Sequence, residues 1–168
     1  MMHVVILAGL SGSGKSPIAR AISSNIFSAD SFMVDQAGHY DFKVGRLAEC
    51  HGKCFRAFIE FLQVPHSKKN GKRQIVVVDN TNTTRWEIAP YMLAAQAYGA
   101  DPLVYQLDCP VELAIERNVH GVDARGIQNQ YKRLRELDTS FWPFARYEIR
   151  ANTDVKSVQS HLLGILGH

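Results

Sequence analysis

Apolar residues along the chain fall into two alternating patterns. Short continuous runs end abruptly at glycine or a carboxylate, and between them lie longer stretches with apolar positions every third or fourth residue. The runs cover roughly residues 3–8, 26–30, 75–79, 103–107 and 147–150. Unbroken runs of this length read as strands buried on both faces. The periodic stretches read as helices. One runs from the end of the first glycine-rich segment to about Ser24. A second, over 46–63, carries Leu47, Cys54, Phe55, Phe58 and Leu62 on one stripe. A third, over 86–98, turns Ile88, Tyr91, Met92 and Ala95 inward; Thr84-Arg85-Trp86-Glu87 is its capping box, Pro90 lies near its first turn and Gly99 stops it. Another opens at Pro110, a residue suited to a first turn. Two more cover 126–138, through Ile127, Gln130, Tyr131, Leu134 and Leu137, and 154–166, with Val155, Val158, Leu162 and Ile165 inward. Strands alternating with helices predict a three-layer α/β/α domain over residues 1–168, built on a doubly wound, mostly parallel five-stranded sheet.

The first run leads straight into Gly9-Leu10-Ser11-Gly12-Ser13-Gly14-Lys15-Ser16, and a helix follows. This is G-x-x-x-x-G-K-[ST] in the strand–loop–helix setting that the motif requires. The glycines let the backbone turn its N–H groups inward as a nest for anionic oxygens, and the helix adds its positive end. Gly9, Ser11, Gly12, Ser13, Gly14, Lys15 and Ser16 are the expected ATP-binding residues. Lys15 would reach the β- and γ-phosphates, and the Ser16 hydroxyl would ligate Mg²⁺. Pro17 suits the first helical turn but removes one donor that could face the phosphates.

Two other strand ends carry chemistry. In open α/β sheets ligands bind beyond the carboxyl ends of strands. Asp30 ends the second run; it can act as a base on a hydroxyl, hold Mg²⁺ through water, or simply cap a turn. Ile75-Val76-Val77-Val78-Asp79 resembles a Walker-B strand whose acid binds Mg²⁺, and Asn80-Thr81-Asn82 continues its polar edge as a candidate acceptor rim. Residues 32–45 form a loop or small hairpin turning at Gly38, a candidate wall of the acceptor pocket. The turn around Gly121 between two helices suggests a lid over about 117–126, with Arg117 and Arg125 as the arginines that would close over phosphates. Lys132, Arg133 and Arg135 read as solvated helix positions.

Composition narrows the classes little. No apolar run reaches the ~18 residues that span a bilayer. Three cysteines, Cys50, Cys54 and Cys109, make no secreted disulfide framework, so a cytoplasmic protein is expected. Cys50, His51 and Cys54 lack the partners of a zinc site and read as core and core-edge residues. The net charge of +3 permits an anionic partner without requiring one. Lys68, Lys69, Lys72 and Arg73 lie in a turn-rich segment that reads as a solvated loop.

Ser28-Ala29-Asp30-Ser31-Phe32, Val78-Asp79-Asn80-Thr81-Asn82 and Arg117-Asn118-Val119-His120-Gly121, in this order after the phosphate loop, resemble the polynucleotide kinase group of P-loop kinases. That group includes the kinase domain of the phage 5′-end polynucleotide kinase, and the chain is especially similar to small AAA-type ATP-binding P-loop kinases. The resemblance covers about residues 3–138. It implies ATP and Mg²⁺ at Lys15 and Ser16, Asp30 as general base on the acceptor hydroxyl, Asn80 at the acceptor rim, and Arg117 as the first lid residue. Two positions depart from the group. Met33 stands where the phage enzyme has an arginine for the acceptor phosphate, and Gly121 where it has a second lid arginine, a role Arg125 would have to fill.

The sequence therefore predicts an ATP-dependent phosphotransferase with catalytic Lys15, Asp30 and Arg117, an acceptor side with Asp30, Asn80 and Asn82, and metal ligands Ser16 and Asp79. A polynucleotide 5′-hydroxyl is the first acceptor by resemblance. A nucleotide, modified base or other small molecule is the alternative, and an NTP hydrolase or nucleotide-binding switch module a further one.

Overall fold

The structure is a computed structural model that describes residues 1–64, 74–119, 121–137, 146–151 (backbone alone) and 154–167. The basic segment with Lys68, Lys69, Lys72 and Arg73, together with His120, lies outside these residues. In chain order the elements are β1 (Met2–Ala8), α1 (Lys15–Ile22), β2 (Ile26–Phe27), α2 (Leu47–Gln63), β3 (Gln74–Asp79), α3 (Arg85–Ala97), β4 (Asp101–Asp108), α4 (Val111–Arg117), α5 (Ala124–Arg135), β5 (Arg146–Ala151) and α6 (Val155–Leu166).

The five strands form one sheet in the order β2-β3-β1-β4-β5, and every neighbouring pair is parallel. Parallel neighbours need crossovers, and the helices supply them. Alternate side chains of β1 sort into two cores. Val4, Ile6 and Ala8 join Cys54, Phe58, Ile88, Met92 and Ile127 on one face; Val5 and Leu7 join Ile18, Tyr105, Val158 and Leu162 on the other. The three layers expected from the periodicity are therefore present. Cys50 and Cys54 are fully buried, and among the described residues no group of three or more His, Cys, Asp or Glu could hold a metal. Among the same residues no helix is long and apolar enough to cross a membrane.

Three expectations shift. The second strand ends at Phe27 instead of reaching Asp30. Ser28 caps a 3₁₀ turn over Ala29–Phe32, accepting from the Asp30 N–H at 3.3 Å, and the Ala29 N–H donates to Asn80 Oδ1 at 2.8 Å, so both amides leave the sheet ladder. The first helix stops at Ile22, because Ser23 is extended and its hydroxyl donates to Ile75 O at 2.6 Å. Val155 sits in the first turn of α6 and is 37% exposed instead of facing the core. The capping box holds as read: Thr84 Oγ1 accepts from the Glu87 N–H at 3.4 Å, and the Thr84 N–H donates to Glu87 Oε2 at 2.9 Å.

Candidate active site

β1 and β3 run side by side with Leu7 opposite Asp79, so the phosphate loop and the Asp79 carboxylate leave the same edge of the sheet. β2 pairs with the outer side of β3, which brings the 3₁₀ turn carrying Asp30 to that edge too. Three segments far apart in sequence meet there through strand order alone.

Gly14 stands at the N-cap of α1 with φ +89°, a left-handed conformation that glycine adopts without cost. No acidic residue lies in the first turn of α1, so its positive end faces the site uncompensated within that turn. Gly12 has φ +84°, and a Cβ there would lie 2.1 Å from Ala114 O, so α4 rests against the loop backbone itself. Ser13 is fully buried and its N–H closes a turn to Leu10 O at 3.0 Å; the Gly9 N–H donates to Thr81 O at 2.9 Å.

Lys15 is buried, and its Nζ donates to Gly9 O at 3.0 Å and Leu10 O at 2.7 Å. Burial pushes its ammonium down to about 8, against the opposing pull of Asp79 first and Asp30 next. Asp79 is buried as well; burial raises its carboxyl, while the Ser16 hydroxyl and the Lys15 charge hold it back. Lys15, Asp30 and Asp79 are thus within electrostatic reach of one another, and Ser16 is within hydrogen-bonding reach of Asp79. The oxygen set of Ser16 and Asp79 fits Mg²⁺, which takes one or two protein oxygens and completes its shell with water and phosphate oxygens.

Asp30 is partly exposed, and the Tyr40 hydroxyl donates to its Oδ1 at 3.4 Å. Burial, with the Asp30 charge second, raises the Tyr40 phenol to about 12. Tyr40 comes from the expected hairpin: Val34 bridges Tyr40 in antiparallel fashion, Gly38 has φ +84°, and Asp35 Oδ1 accepts from the N–H groups of Ala37 and His39 at 2.8 and 2.9 Å. Met33, in contrast, is fully buried and lies against Cys50.

Asn80 and Asn82 differ from an open acceptor rim. Asn80 is 6% exposed; its Oδ1 holds the Asp30 turn through Ala29, and its Nδ2 faces Cys54 Sγ at 3.7 Å. Asn82 is 1% exposed, has φ +46°, and donates from Nδ2 to Leu7 O at 2.7 Å. Both amides brace the backbone that carries the site. The positive φ of Asn82 suits its identity, since asparagine tolerates left-handed geometry.

Arg117 ends α4 and Arg125 lies in the first turn of α5; both are exposed. Arg117 is close enough to Cys109 to offset the burial that raises its thiol. Helix periodicity places Gln130 on the inward stripe but does not show what Gln130 and Arg133 bond to. Gln130 is buried and bonds to Ser11; Arg133 is exposed, as a solvated helix position is, and its Nε also donates to Thr83 Oγ1 at 3.0 Å. The available signal for Gln130 was a polar residue in an apolar stripe with Ile127 and Leu134.

The AAA domain family matches residues 4–136. Human NEDD4-binding protein 2 is 34% identical over 136 residues, which is 74% of this chain but 7% of that protein, so the chain spans a small part of its length. A gluconokinase from Sinorhizobium meliloti shares the fold with a TM-score of 0.62 at 17% identity, covering 98% of this chain and 91% of that one. The Mycobacterium tuberculosis APS kinase CysC, in complex with AMPPNP and APS, gives 0.60 at 16% identity, covering 99% and 98%. Kti12 of Chaetomium thermophilum, in complex with ADP-AlF3, gives 0.62 at 15% identity, covering 96% and 97%.

Proposed function

The chain belongs to the AAA domain family, and from that premise we propose that it is an ATP-dependent phosphotransferase acting on a hydroxyl acceptor, in the first instance a polynucleotide 5′-hydroxyl. The observation that carries this reading is the convergence of Lys15, Ser16, Asp79 and Asp30 at one sheet edge, with Asp30 in a partly exposed turn. The loop amides and Lys15 hold the triphosphate. Ser16 and Asp79 would hold Mg²⁺, which when bound would neutralise charge on the phosphate oxygens. Asp30 takes the proton of the acceptor hydroxyl as its oxygen bonds to the γ-phosphorus. The bond from that phosphorus to the β-phosphate oxygen breaks, and ADP leaves. Asn80 serves the reaction by fixing the turn that carries Asp30. Arg117, with Arg125 in support, closes from the α4–α5 side to offset charge developing in transfer. Two kinases among the structures of shared fold, the gluconokinase and the APS kinase, are in keeping with this chemistry.

Met33 favours a second acceptor class. Its side chain is in the core against Cys50, so the position that would present an arginine to an acceptor phosphate presents no charge. This supports a nucleoside-sized or other small hydroxyl acceptor.

The test is transfer of labelled γ-phosphate with Mg²⁺ to single- and double-stranded DNA, RNA, nucleosides and nucleotides, with a blank lacking acceptor and Lys15→Ala as control. Label on a 5′-hydroxyl end, lost in the control, supports the first reading. Label confined to small acceptors moves the assignment to the second. Phosphate released in the blank alone contradicts both in favour of a hydrolase.

A further inference from the structure

Gln130 lies midway along α5, in the stripe whose other buried members are Ile127 and Leu134. Its amide reaches the phosphate loop in two directions. The Ser11 N–H donates to Gln130 Oε1 at 2.8 Å, and Gln130 Nε2 donates to Ser11 Oγ at 3.1 Å. Gln130 is 8% exposed and Ser11 7%. A side-chain amide can accept from a backbone N–H and donate to the neighbouring hydroxyl at once, which an apolar residue or a lysine cannot. Without that acceptor the buried Ser11 N–H would bear its full desolvation cost.

The pair fixes the loop immediately before Gly12, where the backbone turns left-handed and aims the amides that follow. One position group further along the same face of α5, Arg133 makes a bond of similar length, 3.0 Å, but to Thr83, outside the phosphate loop. The helix therefore has two polar anchors on the body of the domain, and one of them is the phosphate loop.

We propose that Gln130 is a positioning residue for nucleotide binding, which holds the Ser11 segment from α5 and so keeps the phosphate loop in its anion-binding shape. The proposal deepens the nucleotide-binding reading of the loop and rests on it. It also makes the α4–α5 pair, which bears Arg117 and Arg125, continuous with the loop that receives the phosphates.

Two variants separate positioning from simple helix docking. Gln130→Leu keeps the volume and removes both bonds to Ser11. Arg133→Leu removes the other anchor of the same helix. Both are expected to lower Tm. In titrations with a fluorescent ATP analogue well below each Tm, Gln130→Leu should bind ATP and ADP alike about tenfold more weakly, on the scale of one to two lost buried hydrogen bonds. Arg133→Leu should stay within about twofold of the wild type. Equal weakening in both variants, unchanged or tighter binding in Gln130→Leu, or loss confined to ATP overturns the proposal. If Gln130→Leu does not fold, Ser11→Ala replaces it: this keeps the loop amide and removes only the hydroxyl that receives Gln130 Nε2. It should weaken binding measurably, and unchanged affinity there overturns the proposal. Lys15→Ala distinguishes the two levels. If it binds nucleotide as the wild type does, the loop reading has failed; if it loses binding while Gln130→Leu does not, the positioning role alone has failed.

Discussion

Lys15 carries its charge at a high local cost. Its ammonium is buried and lowered to about 8, with two loop carbonyls as hydrogen-bond acceptors. A triphosphate would favour the charged form and raise it again. Above about pH 8 the free protein has lost this proton, so binding ATP must take one up. ATP affinity should therefore fall as pH rises from about 8 toward 9.5, whereas Lys15→Met should bind weakly with a flat profile over that window. The same shift leaves the unfolded chain the greater proton binder between about 8 and 10.5, so the contribution of Lys15 to stability rises with pH there. Titrations of the two proteins over this range check the first statement. Residues of this kind were legible in the sequence because they are local: the spacing of Gly9, Gly14, Lys15 and Ser16 states its own chemistry. Gln130 is legible as a polar residue in an apolar stripe, but its partner, 119 residues away, is not. Asn80 and Asn82 were legible as polar residues after a buried strand, but not as struts, because which atoms they reach is set by strand neighbours.

Among elements, the phosphate loop and the α4–α5 pair are the most closely joined. The Gly12 backbone lies so near Ala114 O that an added Cβ would sit at 2.1 Å, against main chain that cannot swing away. Gly12→Ala must push α4 off the loop and accept a left-handed alanine, for a loss of about 2–4 kcal/mol. Gly38→Ala has a similar φ, +84°, and no atom within 4 Å of the added Cβ; it should lose about 1 kcal/mol. Thermal or denaturant unfolding of the two variants checks this order. Periodicity gave the helices and strands nearly to the residue wherever packing agreed with it, as along α3, where Ile88, Tyr91, Met92 and Ala95 are all buried. It failed where a side chain captured a backbone group, as Ser28 and Asn80 do at the end of β2 and Ser23 does at the end of α1.

The whole molecule makes its site by strand order. A sequence of alternating strands and helices implies a doubly wound sheet, but not that β1 lies between β3 and β4 with β2 outermost. That order sets Asp79 beside the phosphate loop and Asp30 beyond Asp79, with Tyr40 from the hairpin against Asp30. It also leaves the Met33 side chain in the core against Cys50. In the proposed reaction one end of this sheet binds ATP through Lys15 and activates a hydroxyl through Asp30. The most direct measurement is single-turnover transfer from ATP by Asp30→Asn, on whichever acceptor takes label from the wild type, alongside its affinity for ATP. ATP binding should stay within about twofold of the wild type, and transfer should slow by roughly 10²–10⁴. Transfer at the wild-type rate in Asp30→Asn would contradict the role given to Asp30.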